Sequence, residues 1–402
     1  MKDPDESLWS AGLEILGRLV DAGHTAFLVG GCVRDRLMGR RLHDIDIATS
    51  ALPEQVMELF ERTVPTGLKH GTVTVLEKGR TFEVTTYRRE FGYSDARRPD
   101  QVAFVTDIRD DLSRRDFTIN AMAVGLDGKL VDPFGGKADL ESGTIECVGD
   151  ASERFGEDAL RMLRAIRFGA EFGFRLAPSV WQGILAQSSR LKQVAMERVG
   201  GEWDRMMAGS GPDQACRWLF ESGLPEHFRE CPPASLLRGD TAPVALAPIQ
   251  DADLRWAAFL IGKGLSVDEI TVFCRQLRFS GRRISRIANI AEFNARLRHD
   301  FTREQWIGTV LDIGAAAAHD WLVSCVGQVS KNSEAVQWLA DMPLTAVSQL
   351  AVKGDELAAR LDRTPGPWVA ALLRRLAVQV ARGQLSNEKP ALLSAAEQAM
   401  RE

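Results

Sequence analysis

Apolar positions in the first part of the chain fall into short β-branched runs separated by stretches of helical period. TAFLVG (25–30), DIDIAT (44–49), TVTVLEK (72–78), TFEVTTY (81–87) and TIECVG (144–149) each predict a strand. Their alternation with helical segments predicts an α/β or α+β head built on a mixed sheet, and the change of pattern beyond it favours α+β for the whole. From Ser152 onward strand signals almost vanish. Amphipathic helical patterns replace them, as in EDALRMLRAIRFGAEF (157–172) and WVAALLRRLAVQVARG (368–383), so the remainder is predicted all-helical. Gly and Pro clusters break the helical part at GSGPDQ (209–214), at CPPASLLRGDTAPVALAP (231–248) and at TPGPW (364–368), where Pro367 is placed to start a final helix.

Composition agrees with several soluble domains. The chain has 402 residues, 45% apolar and 26% charged, against roughly 100 to 200 residues per domain. No apolar run approaches the ~20 residues that span a bilayer, and the start, MKDPDESLW, is too acidic for a signal peptide. A cytoplasmic protein with no membrane association is expected. Six scattered cysteines (32, 147, 216, 231, 274, 325) include no CxxC pair, so neither a disulfide framework nor a zinc site is expected. The net charge of −5 hides local runs such as RMLRAIR (161–167) and RQLRFSGRRISR (275–286), which are strongly basic.

The chemistry concentrates in LVGGCVRDRLMGRRLHDIDIATS, residues 28–50. Gly30 and Gly31 follow a predicted strand, where their backbone N–H groups can approach a phosphate, and Arg34, one turn into the next helix, can add charge-assisted bonds. A tight strand-to-helix turn would account for the glycines alone. Asp44 and Asp46 stand two apart on a predicted strand and so share a face, where carboxylates can hold divalent metal beside that loop, as phosphoryl transfer requires. Glu83 is a candidate third carboxylate, or else a solvent-facing residue or a partner of Arg88.

GGCVRD, HDIDIATSALPEQV, KHGTVTVLEKGRTFEVTTYR, RRPDQVAF, RRDFTINAMAV, DPFGG and EDALRMLRAIRF follow one another here in an order that resembles class II tRNA nucleotidyltransferases, the CCA-adding enzymes of bacteria. That family shares its head and neck with bacterial poly(A) polymerases. The resemblance is dense over residues 25–175 and continues more weakly to GPWVAALL and GQLSNEK. It implies a nucleotidyltransferase head (1–150), a neck with a base-templating helix (151–215), a body (216–330) and a tRNA-binding tail (331–402). It implies addition of CCA to tRNA from CTP and ATP, with Mg²⁺ in a two-metal arrangement on Asp44 and Asp46. Arg115 and Asp116 of RRDFTINAMAV are implied in ribose and phosphate contacts, although an Asp capping a following element would fit as well. Asp95, Arg97 and Arg98, in DARRP, resemble a flexible DxxRRP loop of members that add the whole CCA, with one residue fewer between the Asp and the RRP.

Cytosine and adenine each present an exocyclic amine donor beside a ring-nitrogen acceptor, whereas uracil and guanine present the reverse order. Asp158 and Arg161, three apart and predicted on one helix face, would supply one acceptor and a fork of donors that suit C and A and leave U or G mispaired. Arg164 and Arg167 continue along the helix toward triphosphate or acceptor-end contacts. An ordinary helix with a solvated Arg face over Leu160, Leu163 and Ile166 is the plain alternative for this stretch. The expected partners are the 3′ end and elbow of tRNA, with a homodimer left open. Competing functions are a CC-adding or A-adding enzyme, a poly(A) polymerase, which usually has proline where this chain has Ala159, and a catalytically silent RNA-binding protein. His299-Asp300 and His319-Asp320 evoke HD phosphohydrolase sites but lack further ligands, and are read as helix-surface residues.

Overall fold

The alternation of apolar and polar residues is realised as a mixed sheet with a buried core on each face. The computed structural model describes residues 4–92, 101–238, 244–297, 301–324 and 332–401. Asp95, Arg97, Arg98, His299, Asp300 and Cys325 lie outside the described residues. Two units separate by their internal contacts, Met1–Cys231 and Pro232–Glu402.

In the first unit α1 (Pro4–Asp21) leads into β1 (Ala26–Val29), α2 (Gly31–Leu37), β2 (Asp46–Thr49), α3 (Pro53–Leu59), β3 (Thr63–Gly67), β4 (Thr72–Glu77) and β5 (Arg80–Thr86). A ribbon of β6 (Arg88–Phe91) and β7 (Gln101–Phe104) follows, then α4 (Ile108–Ser113), β8 (Ala123–Val124), β9 (Leu130–Val131) and α5 (Gly136–Ser142). The main sheet runs β3-β4-β5-β2-β1-β8-β9. It is mixed because β2 pairs parallel with β5 while β1 pairs antiparallel with both β2 and β8. Side chains alternate as a strand demands. Leu28, Ile47, Phe82 and Val84 join Ile15, Leu16 and Leu19 of α1 in one core, and Val29 and Ala48 face Tyr87, Leu112 and Ala123 in another.

Strands β1, β2, β4 and β5 fall on the predicted runs TAFLVG, DIDIAT, TVTVLEK and TFEVTTY, whereas β3 at the sheet edge carried no clear signal. TIECVG narrows to β10 (Thr144–Ile145), with Cys147 adding an isolated bridge to Phe117. Two-residue strands such as β8 and β9 are too short to show a period.

Beyond β10 come α6 (Ala151–Glu157), α7 (Leu160–Phe172), β11 (Arg175–Leu176), α8 (Pro178–Gln187), α9 (Met196–Ala208) and α10 (Pro212–Glu221). Helix α7 packs on α9 and α10, and α6 on α8. The predicted single helix over EDALRMLRAIRFGAEF is interrupted. Asp158 is extended at φ −139° and ψ 104°, and its Oδ1 accepts from the Leu160 N–H at 3.0 Å. An aspartate carboxylate competes for free N–H groups and so favours a new helix start over continuation.

The second unit comprises α11 (Ala234–Leu237), α12 (Ala252–Gly262), α13 (Val267–Gln276), α14 (Gly281–Arg296), α15 (Arg303–Ile313), α16 (Ala315–Ser324), α17 (Asn332–Ala340), α18 (Gly354–Arg360), α19 (Pro367–Ala381) and α20 (Lys389–Ala399). Capping boxes open α13 through Ser266 and Glu269 and α15 through Thr302 and Gln305. Phe293, Phe301, Trp306 and Trp321 form a buried aromatic cluster with ring centroids 5.4 to 6.0 Å apart. Pro367 opens α19 as a first-turn proline, but α20 follows, so the break precedes the penultimate helix. His319 is exposed, while Asp320 receives two bonds from Arg286 at 2.7 and 2.9 Å and is an ion-pair partner rather than a plain surface residue. Among the described residues Cys32, Cys147, Cys216 and Cys274 are buried free thiols and Cys231 is exposed, and no helix is long and apolar enough to cross a membrane.

DPFGG locks a turn beneath the open end of the sheet. Asp132 accepts from the Gly136 and Lys137 N–H groups at 2.7 and 2.9 Å, and Gly135 takes φ 77°. A Cβ on Gly136 would lie 2.2 Å from the carbonyl oxygen of Thr118, in the 3₁₀ turn Thr118–Asn120. Gly136→Ala should therefore cost about 1–3 kcal/mol by overpacking, whereas Gly201→Ala, exposed in α9 with open space around it, should gain up to about 1 kcal/mol. Urea unfolding of the two variants should move the midpoint in opposite directions.

Candidate active site

The open end of the first unit holds a cleft of about 1130 Å³. Strand register assembles its floor. Asp46, first in β2, stands opposite Val29 at the end of β1 and level with Glu83 of β5. Asp44 lies in the extended lead-in to β2 rather than within the strand, yet it lines the cleft with Asp46 and Glu83. Burial, and then the Asp44 charge, push the Asp46 carboxyl up to about 6, with Arg115 opposing and Glu83 adding to the rise.

Gly30 closes the strand at φ 74° and ψ −131°. A side chain there would be strained, and its Cβ would lie 2.7 Å from Nη1 of Arg115. Gly31 begins α2, whose first N–H groups have no acceptor within the helix. Arg34 is buried, donating to Asn120 Oδ1 at 2.6 Å and in a fork to Asp35 at 2.9 and 3.0 Å. Its guanidinium also lies 5.1 and 4.8 Å from the ring centroids of Phe168 and Phe172. Arg115 is held loosely, by bonds of 3.4 Å to Asn120 O and to Asp111, and its buried Nε has no partner.

Asp116 is buried and fully engaged. It accepts from the Phe117 N–H, from Asn120 Nδ2 at 3.1 Å and from Arg164 at 2.8 and 2.6 Å. Burial raises its carboxyl, but Arg164, Arg161 and Asn120 together outweigh that and hold it well below the usual carboxylate range. Its oxygens thus face the protein, contrary to the expectation of ribose contact. Arg167 is likewise committed, to Glu202 at 2.7 Å and Glu171 at 3.2 Å. It joins α7 to α9 through Glu202 while also lining the cleft.

Asp158 and Arg161 line the far wall without sharing a helix face, because Asp158 stands ahead of α7. The Asp158 carboxylate accepts from the Leu160 N–H and from Arg198 at 2.7 Å, keeping acceptor capacity beyond these two bonds. Arg161 donates to Glu157 at 2.6 Å and to the carbonyls of Arg154 and Arg114 at 3.3 and 3.0 Å. In all, eleven arginines and seven carboxylates line the cleft, a surplus suited to a polyanion.

A model of the poly(A) polymerase head domain matches residues 26–146, one of an RNA- and SrmB-binding region of that polymerase matches 173–232, and one of tRNA nucleotidyltransferase domain 2 matches 247–396. The chain is 37% identical over 389 residues to the CCA-adding enzyme of Limosilactobacillus fermentum, covering 95% of each, and 36% identical over 392 residues to that of Bacillus subtilis, covering 96% of each. The chain belongs to the CCA-adding enzymes. The structure of the Bacillus stearothermophilus CCA-adding enzyme in complex with CTP superposes with a TM-score of 0.85 at 32% identity, covering 99% of this chain and 98% of that one.

Within this member of the family, several cleft residues carried no role in the sequence reading. Arg40, Arg41 and His43 directly precede the DxD, and Arg114 precedes Arg115, so their placement had a local signal. Asn120 sits in the same RRDFTINA run. Arg198 had none, since 40 residues separate it from the Asp158 it touches.

Asp44 and Asp46 face open cleft with only Arg115 as a cationic influence on Asp46, a donor set that suits a hard divalent cation. No three Asp, Glu, His or Cys among the described residues stand together as a closed metal cage. A cation such as Mg²⁺ takes one or two carboxylates and completes its shell with water and phosphate oxygens, and Asp44 and Asp46 are the residues that would hold it. Without cation, the stability that Asp46 contributes should be lost as pH rises from about 4 through about 6, because the folded state holds the Asp46 proton more tightly than the unfolded chain. Added Mn²⁺ should therefore raise the melting temperature at pH 7.5, and that increment should shrink as pH falls through about 6. An increment independent of pH would remove Asp46 from the cation site.

Proposed function

We propose that this chain builds or repairs the 3′-terminal CCA of tRNA from CTP and ATP, with no nucleic-acid template and with release of pyrophosphate. The observation that carries the reading is that a single cleft offers a carboxylate pair beside a glycine turn on its floor and an acceptor-and-donor pair on its far wall. Two-metal Mg²⁺ held by Asp44 and Asp46 would supply charge neutralisation on the transferring phosphoryl group and activation of the attacking hydroxyl. Gly30 and Gly31 let the backbone approach the triphosphate, and Arg34 and the loosely held Arg115 bind it. Positioned there, the α-phosphorus takes a new bond to the tRNA 3′ oxygen as its bond to the pyrophosphate oxygen breaks.

Base choice follows from Asp158 accepting from the exocyclic amine while Arg161 donates to the ring nitrogen. Opposite U or G both partners meet groups of their own kind, and mispaired buried groups cost about 1–3 kcal/mol each. Asp116 and Arg167 act as internal supports: Asp116 aims Arg164, and Arg167 ties α7 to α9. Glu83 adds negative charge beside Asp46 as an outer carboxylate. The head, neck, body and tail divide near residues 150, 215 and 330, with body and tail gripping the tRNA elbow by phosphate contacts in the cytoplasm. Every side chain this chemistry uses belongs to Met1–Cys231, so one copy of the chain is sufficient for it.

Purified chain with Mg²⁺ should extend a tRNA lacking CCA by two C and one A and then stop. Growth that halts at CC, or addition of A alone, would make it a specialised enzyme, and long A tails on an oligo(A) primer would make it a poly(A) polymerase. Asp44→Ala or Asp46→Ala should lower kcat by about 10²-fold or more with tRNA binding retained. Asp158→Ala should lose about 10- to 100-fold of its preference for CTP over UTP, and unchanged rejection of UTP would remove Asp158 from base reading.

A further inference from the structure

From the triphosphate side of the cleft a chain of polar contacts reaches α7, the helix that carries Arg161. Arg34 Nη1 donates to Asn120 Oδ1 at 2.6 Å, Asn120 Nδ2 donates to Asp116 Oδ1 at 3.1 Å, and Arg164 donates to Asp116 Oδ2 at 2.8 Å from Nε. Arg164 stands one turn beyond Arg161 on α7. We propose that Asn120 is a positioning residue that couples seating of the triphosphate to the setting of the base-reading helix. This rests on the assignment of Arg34 to triphosphate and of Asp158 and Arg161 to the base.

The chemistry of the link explains why an amide is needed. One end must accept from a guanidinium and the other must donate to a carboxylate, and a carboxamide does both at once in one orientation only. Asn120 is buried, at 7% exposure, and both ends of its amide are already paired within the protein. Its backbone is also fixed: the turn Thr118–Asn120 rests against Gly136, and the Asn120 N–H donates to the Phe117 carbonyl at 3.0 Å. A small turn of Arg34 toward phosphate therefore moves or releases Asn120 Oδ1. The response has one outlet, Asp116 and the guanidinium it holds.

The structure also offers a second route, because Arg34 and Arg164 both lie over Phe168, at 5.1 and 5.2 Å. The two routes are separable, because Phe168→Leu removes the ring and keeps the hydrogen-bonded chain, whereas Asn120→Leu keeps the ring and breaks the chain with a side chain of nearly the same shape.

The test compares equilibrium binding of CTP with UTP, and of CMP with UMP, to the full chain with Mg²⁺ and no tRNA. In wild type the preference for cytosine should be larger for the triphosphates than for the monophosphates by about tenfold, within the usual span for coupled sites. In Asn120→Leu, and in Asn120→Ser should the leucine variant fold poorly, the two preferences should agree within about twofold, and Phe168→Leu should retain the difference. A merely structural role would weaken all four ligands alike and leave that difference standing. Persistence of the difference in the Asn120 variants, its absence from wild type, or its loss in Phe168→Leu alone would overturn the proposal. A wild-type chain that prefers neither CTP nor ATP over UTP would instead overturn the assignment of the base-reading pair, and this coupling with it.

Discussion

The parallel pairing of β2 with β5 governs the floor of the cleft. It sets Asp46 level with Glu83, while the antiparallel pairing to β1 sets the same residue opposite Val29, one position before Gly30. Because successive side chains alternate faces, a slip of one residue would turn Asp46 into the core of Leu28, Ile47 and Phe82 and leave Ile47 in the cleft. The apolar alternation that folds the sheet is thus also what aims the carboxylates. With Asp44 beside it and burial around it, Asp46 is raised to about 6, and Arg115 opposes that rise.

A cleft rich in guanidinium groups faces the opposite problem, and the structure meets it by supplying fixed anions and carbonyls. Arg34 leans on Asp35 and Asn120, Arg161 on Glu157 and two carbonyls, Arg164 on Asp116, Arg167 on Glu202, and Arg114 on Asp111 and Glu90. Buried pairs of this kind add little net stability, since desolvation offsets most of their attraction. Their use here is geometric: donors already aligned need no reorganisation when charge develops on a phosphate. Asp116 illustrates the trade, a carboxylate kept ionised in a buried place by the cations it orients.

Much of this was legible beforehand. The head-to-helix transition, the strand runs and the glycine turn all follow from local periodicity and from the conformational freedom that only glycine has at Gly30. The break at Asp158 was not, because Leu160, Leu163 and Ile166 keep the helical period on its far side, and a capping carboxylate is decided by competition for one N–H group. The edge strand β3 and the two-residue strands are too short or too exposed to carry a period, and depend on neighbours for their hydrogen bonds.

By itself the order of residues determined the chemistry available: a carboxylate pair after a double glycine, an Asp and Arg at the head of a basic helix, and a fold class with a mixed sheet before an all-helical remainder. These are properties of residue type and short spacing, which survive any detail of packing. Tertiary structure alone decided which charged groups face substrate and which face one another. Asp116 and Arg167 read as ligand contacts until Arg164 and Glu202 take up their hydrogen bonds, and Arg198 and Asn120 are unremarked until the chain brings them against Asp158 and Arg34. Coulomb forces and hydrogen bonds act over a few ångströms in space, whatever the separation along the chain, and that distance exists only once the fold has formed.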